Sequence, residues 1–303
     1  MIYENYGQLI ESVHSLKTKS RIVVVAAEES HIVEAVFKAQ EEQVVDPILV
    51  GNKQKILDII QELGLNRSGC EIVDCSESMN PSQLAIDIIN AGDGDFLMKG
   101  RLETKDLLKA VVDKKNKINT GRVMTHFTLS RVPGYGKLLS MTDGVMQIYP
   151  DLSAKKDMII NVVENLIKIG YYRPKVAVIC PIEKINPKMS ETVDADMLVQ
   201  MNHRGEIQNC EVFGPISYDL AISRESAEIK GFDCPWSGDF DVLVLPNLIS
   251  ANVLGKSWVY NAGGCNAGMI AGAKVPIALT SRSASAEEKF MCIALCALCA
   301  GTD

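Results

Sequence analysis

RIVVVAAEESHIVEAVFKAQEEQVVDPILVG, residues 21–51, sets two short aliphatic runs on either side of a segment with helical spacing. RIVVVAA (21–27) and DPILVG (46–51) are continuous and apolar, as strands buried on both faces must be. HIVEAVFKAQEEQ (31–43) between them spaces its apolar residues as an amphipathic helix does. Outward from this unit the alternation continues through CEIVDC (70–75), DFLMKG (95–100), KVAVIC (175–180), FDVLVLPN (240–247) and VPIALTS (275–281). SAKKDMIINVVENLIKIG (153–170) is another helical period. Strands and helices taking turns predict a mainly parallel sheet with helices on both faces, a three-layer αβα arrangement.

The rhythm breaks over residues 122–150, RVMTHFTLSRVPGYGKLLSMTDGVMQIYP, where extended, glycine-punctuated segments replace helices. A crossing between two α/β halves explains the break, and a chain of 303 residues exceeds what one core normally serves. The expected division is a first domain of residues 1–125, completed by 283–303, and a second of 126–282. A cleft between two such halves is the default place for a ligand.

Composition narrows the function. A formal net charge of −7 argues against a general nucleic-acid binder, so an anionic ligand has to be held by local cations. Nine scattered cysteines fit a reducing cytoplasm better than a disulfide framework. The N-terminal stretch MIYENYGQLIESVHSLKTK lacks the pattern of a signal peptide, and the apolar run MCIALCALCAG (291–301) is too short to span a bilayer.

Several motifs point to chemistry and fall short of it. Gly255-Lys256-Ser257 resembles the end of a phosphate-cradling loop, but Ser250 stands where that loop needs its first glycine. A helix starting near Ser250 to Asn252 is the plainer expectation, with Asn252 and Lys256 in its first turns past a strand end. Gly264, Gly268 and Gly272 recur every four residues and predict a glycine ridge along a helix, suited to close packing. Cys292, Cys296 and Cys299 share one helical face, but the four histidines lie far off in sequence, so a core role is expected rather than a metal site. No G-x-G-x-x-G follows a strand, and neither H-E-x-x-H nor G-x-S-x-G occurs.

The strand exits are more informative. Lys99 and Arg101 follow an apolar strand and precede Thr104 at an expected helix start, a setting suited to phosphate. Thr142 and Asp143 mark a turn in SMTDGV. In IALTSRSASAEEKF (277–290), Ser285 and Glu288 match a capping box, which leaves Ser281 and Arg282 unexplained. An arginine beside a hydroxyl, at a strand end and near a helix N-terminus, suits a small tetrahedral oxyanion.

Residues 242–289, VLVLPNLISANVLGKSWVYNAGGCNAGMIAGAKVPIALTSRSASAEEK, are similar to the C-terminal signature of the phosphate acetyl/butyryltransferase family. NPKMSETVDADMLVQM (186–201), GPISYDLA (214–221) and LMKGRLET (97–104) resemble motifs of its butyryltransferase branch, in the expected order. The resemblance covers nearly the whole chain. It implies a two-domain scaffold like that of isocitrate and isopropylmalate dehydrogenases, with an interdomain active site and usually a homodimer. The implied reaction is acyl-coenzyme A plus phosphate to acyl phosphate plus coenzyme A, with no metal or redox cofactor. The resemblance assigns Ser281 and Arg282 to phosphate and the transition state. It assigns Glu288, where the acetyl branch has aspartate, to proton exchange with the thiol. Lys99, Arg101, Thr142, Asp143, Asn252 and Lys256 are the candidates for holding phosphate and coenzyme A. Two alternatives carry different tests. A metal- and NAD-dependent hydroxy-acid dehydrogenase on the same scaffold needs clustered aspartates, whereas a non-catalytic acyl-coenzyme A binding protein would release no thiol with phosphate.

Overall fold

The computed structural model describes residues 2–281 and 283–301. The chain divides into two compact units, Tyr6–Arg122 with Ala267–Asp303, and Met1–Asn5 with Val123–Asn266. The first begins with α1 (Tyr6–His14), β1 (Ser20–Val25), α2 (Ser30–Glu41), β2 (Val45–Gly51), α3 (Lys53–Glu62), β3 (Glu71–Asp74), α4 (Pro81–Ala91), β4 (Phe96–Lys99) and α5 (Thr104–Val112). Strand β1 pairs in parallel with β2 on one side and β4 on the other. Its residues Ile22 to Val25 are wholly buried, which is why they are β-branched without alternation. Ile32, Val33, Val36 and Phe37 form the buried face of α2, each contributing about 1.5–3 kcal/mol of apolar burial.

Short polar residues set the helix starts. Asn52 accepts the Lys55 N–H at 3.0 Å ahead of α3. Asn80 accepts from Ser82 and Gln83 ahead of α4, which opens on Pro81 and ends on Gly92 at φ 80°. Such caps contribute about 1 kcal/mol each.

The second unit contains β5 (Thr125–Arg131), β6 (Leu139–Thr142), α6 (Leu152–Lys168), β7 (Lys175–Ile179), α7 (Ser190–His203), β8 (Glu211–Ile216), α8 (Tyr218–Ile222), α9 (Arg224–Lys230), β9 (Val242–Val244) and α10 (Leu248–Tyr260). Its strands run in the order β5-β6-β9-β7-β8, all neighbours parallel except the antiparallel pair β5 and β6. Leu139, Met141, Phe240, Leu243 and Trp258 lie in its core. At the starts of β6, β7 and β9 the buried Lys137 ammonium binds Asp239 at 2.8 Å and Asp241 at 2.7 Å, and Lys175 also reaches Asp239.

The chain then returns with β10 (Cys265–Ala271), β11 (Ile277–Ala278) and α11 (Ala286–Ala300), completing the order β3-β2-β1-β4-β11-β10 in the first unit. The return falls at Ala267 instead of 283, because Ile277 and Ala278 register in parallel against Leu97 and Met98 of β4. The expected glycine-ridged helix is strand β10. Gly264 precedes it, where a β-carbon would stand 2.7 Å from the Arg131 carbonyl oxygen, and Gly272 follows it at φ 92°. The glycines therefore serve backbone approach and a left-handed turn, not helix packing. Cys292, Cys296 and Cys299 are buried on α11, and the Cys292 thiol accepts the Gly268 N–H at 3.0 Å. Burial pushes the Cys296 thiol well above its ordinary pKa, so it behaves as a small neutral hydrophobe.

Candidate active site

In the first unit β1, β2 and β3 step outward in one direction and β4 lies on the opposite side of β1. The order therefore reverses between β1 and β4, where open parallel sheets leave a crevice beyond their strand ends. The two strand ends meet closely there. The Gly100 and Arg101 N–H groups donate to the Val25 and Ala26 carbonyls at 2.9 and 2.6 Å, and Ala26 adopts φ 58°. A β-carbon on Gly100 would stand 2.2 Å from the Ala26 oxygen, so only glycine fits between the two cations. Lys99 is half-buried and its ammonium donates to the Gly100 and Leu102 carbonyls, both at 3.1 Å. The Arg101 side chain is exposed, and Thr104 opens α5 as expected.

Ser281 follows the last β11–β4 register pair, Ala278 with Met98, by three residues, just as Arg101 does. Lys99, Arg101 and Ser281 thus leave adjacent parallel strands at one edge of one sheet. Ser281 is exposed, its hydroxyl 3.0 Å from that of Ser283, and its carbonyl accepts the Ala284 N–H at 3.1 Å. Arg282 lies outside the described residues. The capping box is formed: Glu288 donates its N–H to the Ser285 hydroxyl at 3.1 Å, and its Oε2 accepts the Ser285 N–H at 2.9 Å. Oε1 takes no hydrogen bond from a described residue.

The second unit gathers the other four candidates at the ends of β6 and β9, where Thr142 is in register with Val244. Thr142 and Asp143 are buried and their polar atoms serve the protein's own backbone. The Thr142 hydroxyl donates to the His126 carbonyl at 3.1 Å. Asp143 accepts the N–H groups of His126, Val145 and Met146 at 2.8, 2.8 and 2.7 Å, so the carboxylate fixes the loop after β6. Burial holds the neighbouring His126 imidazole below its ordinary pKa, against the pull of Asp143.

Helix α10 begins at Leu248 with Asn247 as its cap, accepting the Ser250 N–H at 3.0 Å. It therefore starts earlier than expected, and Asn252 and Lys256 fall in its second and third turns. Asn252 donates to the Gly144 carbonyl at 3.0 Å, while Lys256 is exposed. The sequence did not flag Ala26, Gly100, Asn247 or His126. Only Gly100, set between two cations, carried a visible signal. Among the described residues no group of three His, Cys, Asp or Glu side chains is arranged to hold a metal ion. The aspartate cluster that a metal-dependent dehydrogenase needs is thus not found there. No helix among them is long and apolar enough to cross a membrane.

The sequence profile of the family described as "Phosphate acetyl/butaryl transferase" matches residues 6–83 and 76–297. The chain belongs to this family. A phosphate acetyltransferase of Thermotoga maritima is 40% identical over 92% of this chain and 94% of its own. A phosphate butyryltransferase of Clostridium beijerinckii is 37% identical over 98% of each. The crystal structure of a branched-chain phosphotransacylase from Enterococcus faecalis superposes with a TM-score of 0.84 at 29% identity, covering 94% of this chain and 100% of that one. A 4-hydroxythreonine-4-phosphate dehydrogenase from Burkholderia phymatum, 14% identical, shares the fold with a TM-score of 0.56 over 94% of this chain and 99% of its own. The phosphate acetyl/butyryl transferase chain is thus an acyltransferase on a scaffold that dehydrogenases also use.

Proposed function

We propose that this phosphate acyltransferase converts acyl-coenzyme A and inorganic phosphate to acyl phosphate and coenzyme A, with butyryl-coenzyme A preferred. The observation that carries the reading is the shared edge of β4 and β11. Lys99 and Arg101 leave β4, where the strand order reverses, and Ser281 leaves the neighbouring strand β11 at the same edge. A phosphate oxygen attacks the thioester carbonyl carbon, the C–O bond forms, the C–S bond breaks, and the departing sulfur ends as a thiol.

Arg282 offers forked donors to the phosphate oxygens, and the Ser281 hydroxyl donates to the charge that develops on oxygen. Glu288 gives the leaving sulfur its proton and takes it back in the reverse direction. Its Oε1, unbound among the described residues, supports this role while Oε2 keeps the cap. Lys99 and Arg101 are proposed for the phosphates of coenzyme A, with Asn252 and Lys256 as further contacts and Thr142 and Asp143 shaping the loop beside them. No resident cofactor or metal is invoked. The relatives' names include both butyryl and acetyl transfer, and the motifs of residues 186–201 and 214–221 support the butyryl side. Nine free cysteines support a reducing cytoplasm, and the proposed working form is a homodimer.

The test is thiol release from acetyl-, propionyl-, butyryl- and branched acyl-coenzyme A, with and without phosphate. Phosphate-dependent release with the highest kcat/KM on butyryl-coenzyme A is expected. Equal or faster release from acetyl-coenzyme A would overturn the chain-length preference. Binding without release from any substrate would overturn the reaction.

A further inference from the structure

Among the described residues the buried lysines are Lys137, Lys155 and Lys289. Taking an ammonium out of water is costly unless a counter-charge takes the water's place. Lys137 meets Asp241 at 2.7 Å and Lys155 meets Asp194 at 2.6 Å. Lys289, 6% exposed, pairs with no carboxylate of a described residue; its ammonium makes one hydrogen bond, to the Ala284 carbonyl at 2.6 Å. The remaining N–H donors of that ammonium are uncommitted. Position deepens the imbalance. Lys289 lies in the first turns of α11, whose N-terminal end carries partial positive charge and disfavours a cation. Glu287 and Glu288 precede it, but Glu288 holds the Ser285 N–H through Oε2 and neither forms an ion pair with Lys289. The ammonium reaches back instead into the turn ahead of the helix. There Ala284 donates its N–H to the Ser281 carbonyl at 3.1 Å, and the Ser281 and Ser283 hydroxyls stand 3.0 Å apart.

We propose that the Lys289 ammonium is a further cation for inorganic phosphate, binding the anion at the turn 281–285 through the donors that Ala284 leaves free. The proposal rests on the reading of Ser281 and Arg282 as the phosphate-handling pair and adds a residue to it. A phosphate at that turn supplies the counter-charge that Lys137 and Lys155 already have from carboxylates. It also lies by the positive end of α11, which favours an anion as much as it disfavours the lone lysine. The bond to Ala284 holds the ammonium in place before the anion arrives, so less ordering is left to binding. A tie to the turn alone needs only a neutral donor and gives no reason for a buried charge. The phosphates of coenzyme A share this chemistry. Inorganic phosphate is favoured because the ammonium ends within the turn that carries Ser281.

The test compares Lys289→Gln, which keeps a donor for Ala284 without the charge, and Lys289→Met, which keeps only the stem. Lys38→Gln is the control, since Lys38 lies over the Phe290 ring of the same helix, 5.5 Å from its centroid. In thiol release, KM for phosphate should rise about 10- to 100-fold in both Lys289 variants, with KM for acyl-coenzyme A little changed and the control parental. Without turnover, inorganic phosphate should raise the parent's Tm at concentrations that leave both Lys289 variants unmoved. In phosphate-free buffer those variants should melt at or above the parent, because an uncompensated buried charge is gone. Parental KM for phosphate in Lys289→Gln would reduce the lysine to a tie and overturn the proposal. So would an equal rise in the control, which marks a general charge effect, or a rise confined to KM for acyl-coenzyme A, which assigns the ammonium to coenzyme A. Failure of both variants to fold would make the ammonium a structural requirement and overturn it too. A parent that releases no thiol, yet gains Tm from phosphate only while Lys289 is present, would sink the reaction and leave this site standing.

Discussion

The Asn252 side-chain amide donates to the Gly144 carbonyl at 3.0 Å, tying the second turn of α10 to the loop after β6. That loop is already held from below by Asp143, whose carboxylate accepts three backbone N–H groups. Asn252→Ala should remove about 1 kcal/mol of stability in urea denaturation. If α10 contacts coenzyme A, KM for acyl-coenzyme A should rise more than kcat falls. An unchanged KM would leave Asn252 a purely structural tie.

Gly100 sits where β4 meets β1, and a β-carbon there would overlap the Ala26 carbonyl at 2.2 Å. Backbone on both sides cannot swing away as a flexible side chain would. Gly100→Ala should therefore cost about 1–3 kcal/mol as an overpacked site. It should also displace Lys99 and Arg101, lowering kcat/KM beyond what the stability loss explains at a temperature where the variant is folded. A variant with parental stability would show that the strand ends can part.

The parallel sheet was legible because its strands are buried on both faces: Ile22 to Val25 cannot be anything but a continuous apolar run. The capping box at Ser285 and Glu288 was legible for a local reason, that a helix end needs a specific partner for its free N–H groups, whereas α5 opens at Thr104 behind Glu103 with no side-chain cap. Residues 264–272 misled because glycine spacing records close approach without saying what approaches; here it is the Arg131 carbonyl and the Cys292 thiol, both distant in sequence. Thr142 and Asp143 were legible as a turn but not as a buried one, since burial depends on β6 lying between β5 and β9. The shared edge of β4 and β11 was likewise hidden, as nothing local tells two strand exits apart by neighbour.

Glu288 combines a cap with a proposed proton-transfer role, and the two can be separated. Glutamine keeps an oxygen for the Ser285 N–H and cannot carry the proton. Glu288→Gln should hold its Tm within about 2 °C yet lose on the order of 100-fold in kcat. Glu288→Ala should lose the activity and about 1 kcal/mol of stability. Full turnover in the glutamine variant would reduce Glu288 to a cap.

Ser281 and its neighbour Arg282 are proposed to act on phosphate and on the developing charge. Ser281→Ala should lower kcat by about 100-fold with KM for acyl-coenzyme A little changed, as expected for a donor that matters most in the transition state. Arg282→Lys keeps the charge and loses the fork, so KM for phosphate should rise more steeply than kcat falls. Arg282→Ala should abolish saturation by phosphate in the accessible range. A folded Arg282→Ala variant with parental phosphate kinetics would remove the residue from the mechanism.

Acid should weaken this protein through two groups with the same sign of dependence. Burial lowers the His126 pKa and outweighs the upward pull of Asp143, so the unfolded chain takes up that proton first, near pH 6.5. The stability it gives is complete above that pH and declines as pH falls toward the folded value. At Asp239 burial would raise the pKa, but hydrogen bonds from Lys137 and Lys175 outweigh it and the carboxyl titrates below its ordinary range. Its contribution is present above an unfolded pKa of about 3.9 and is lost as pH falls through the folded value. Urea denaturation from pH 7.5 down to 3.5 should show stability falling in two stages. His126→Gln should flatten the stage that begins near pH 6.5, and Asp239→Asn should reduce the one near pH 4. A parent whose stability rises as pH falls from 7 to 5, with His126→Gln abolishing the rise, would mean that the imidazole is already protonated in the folded state.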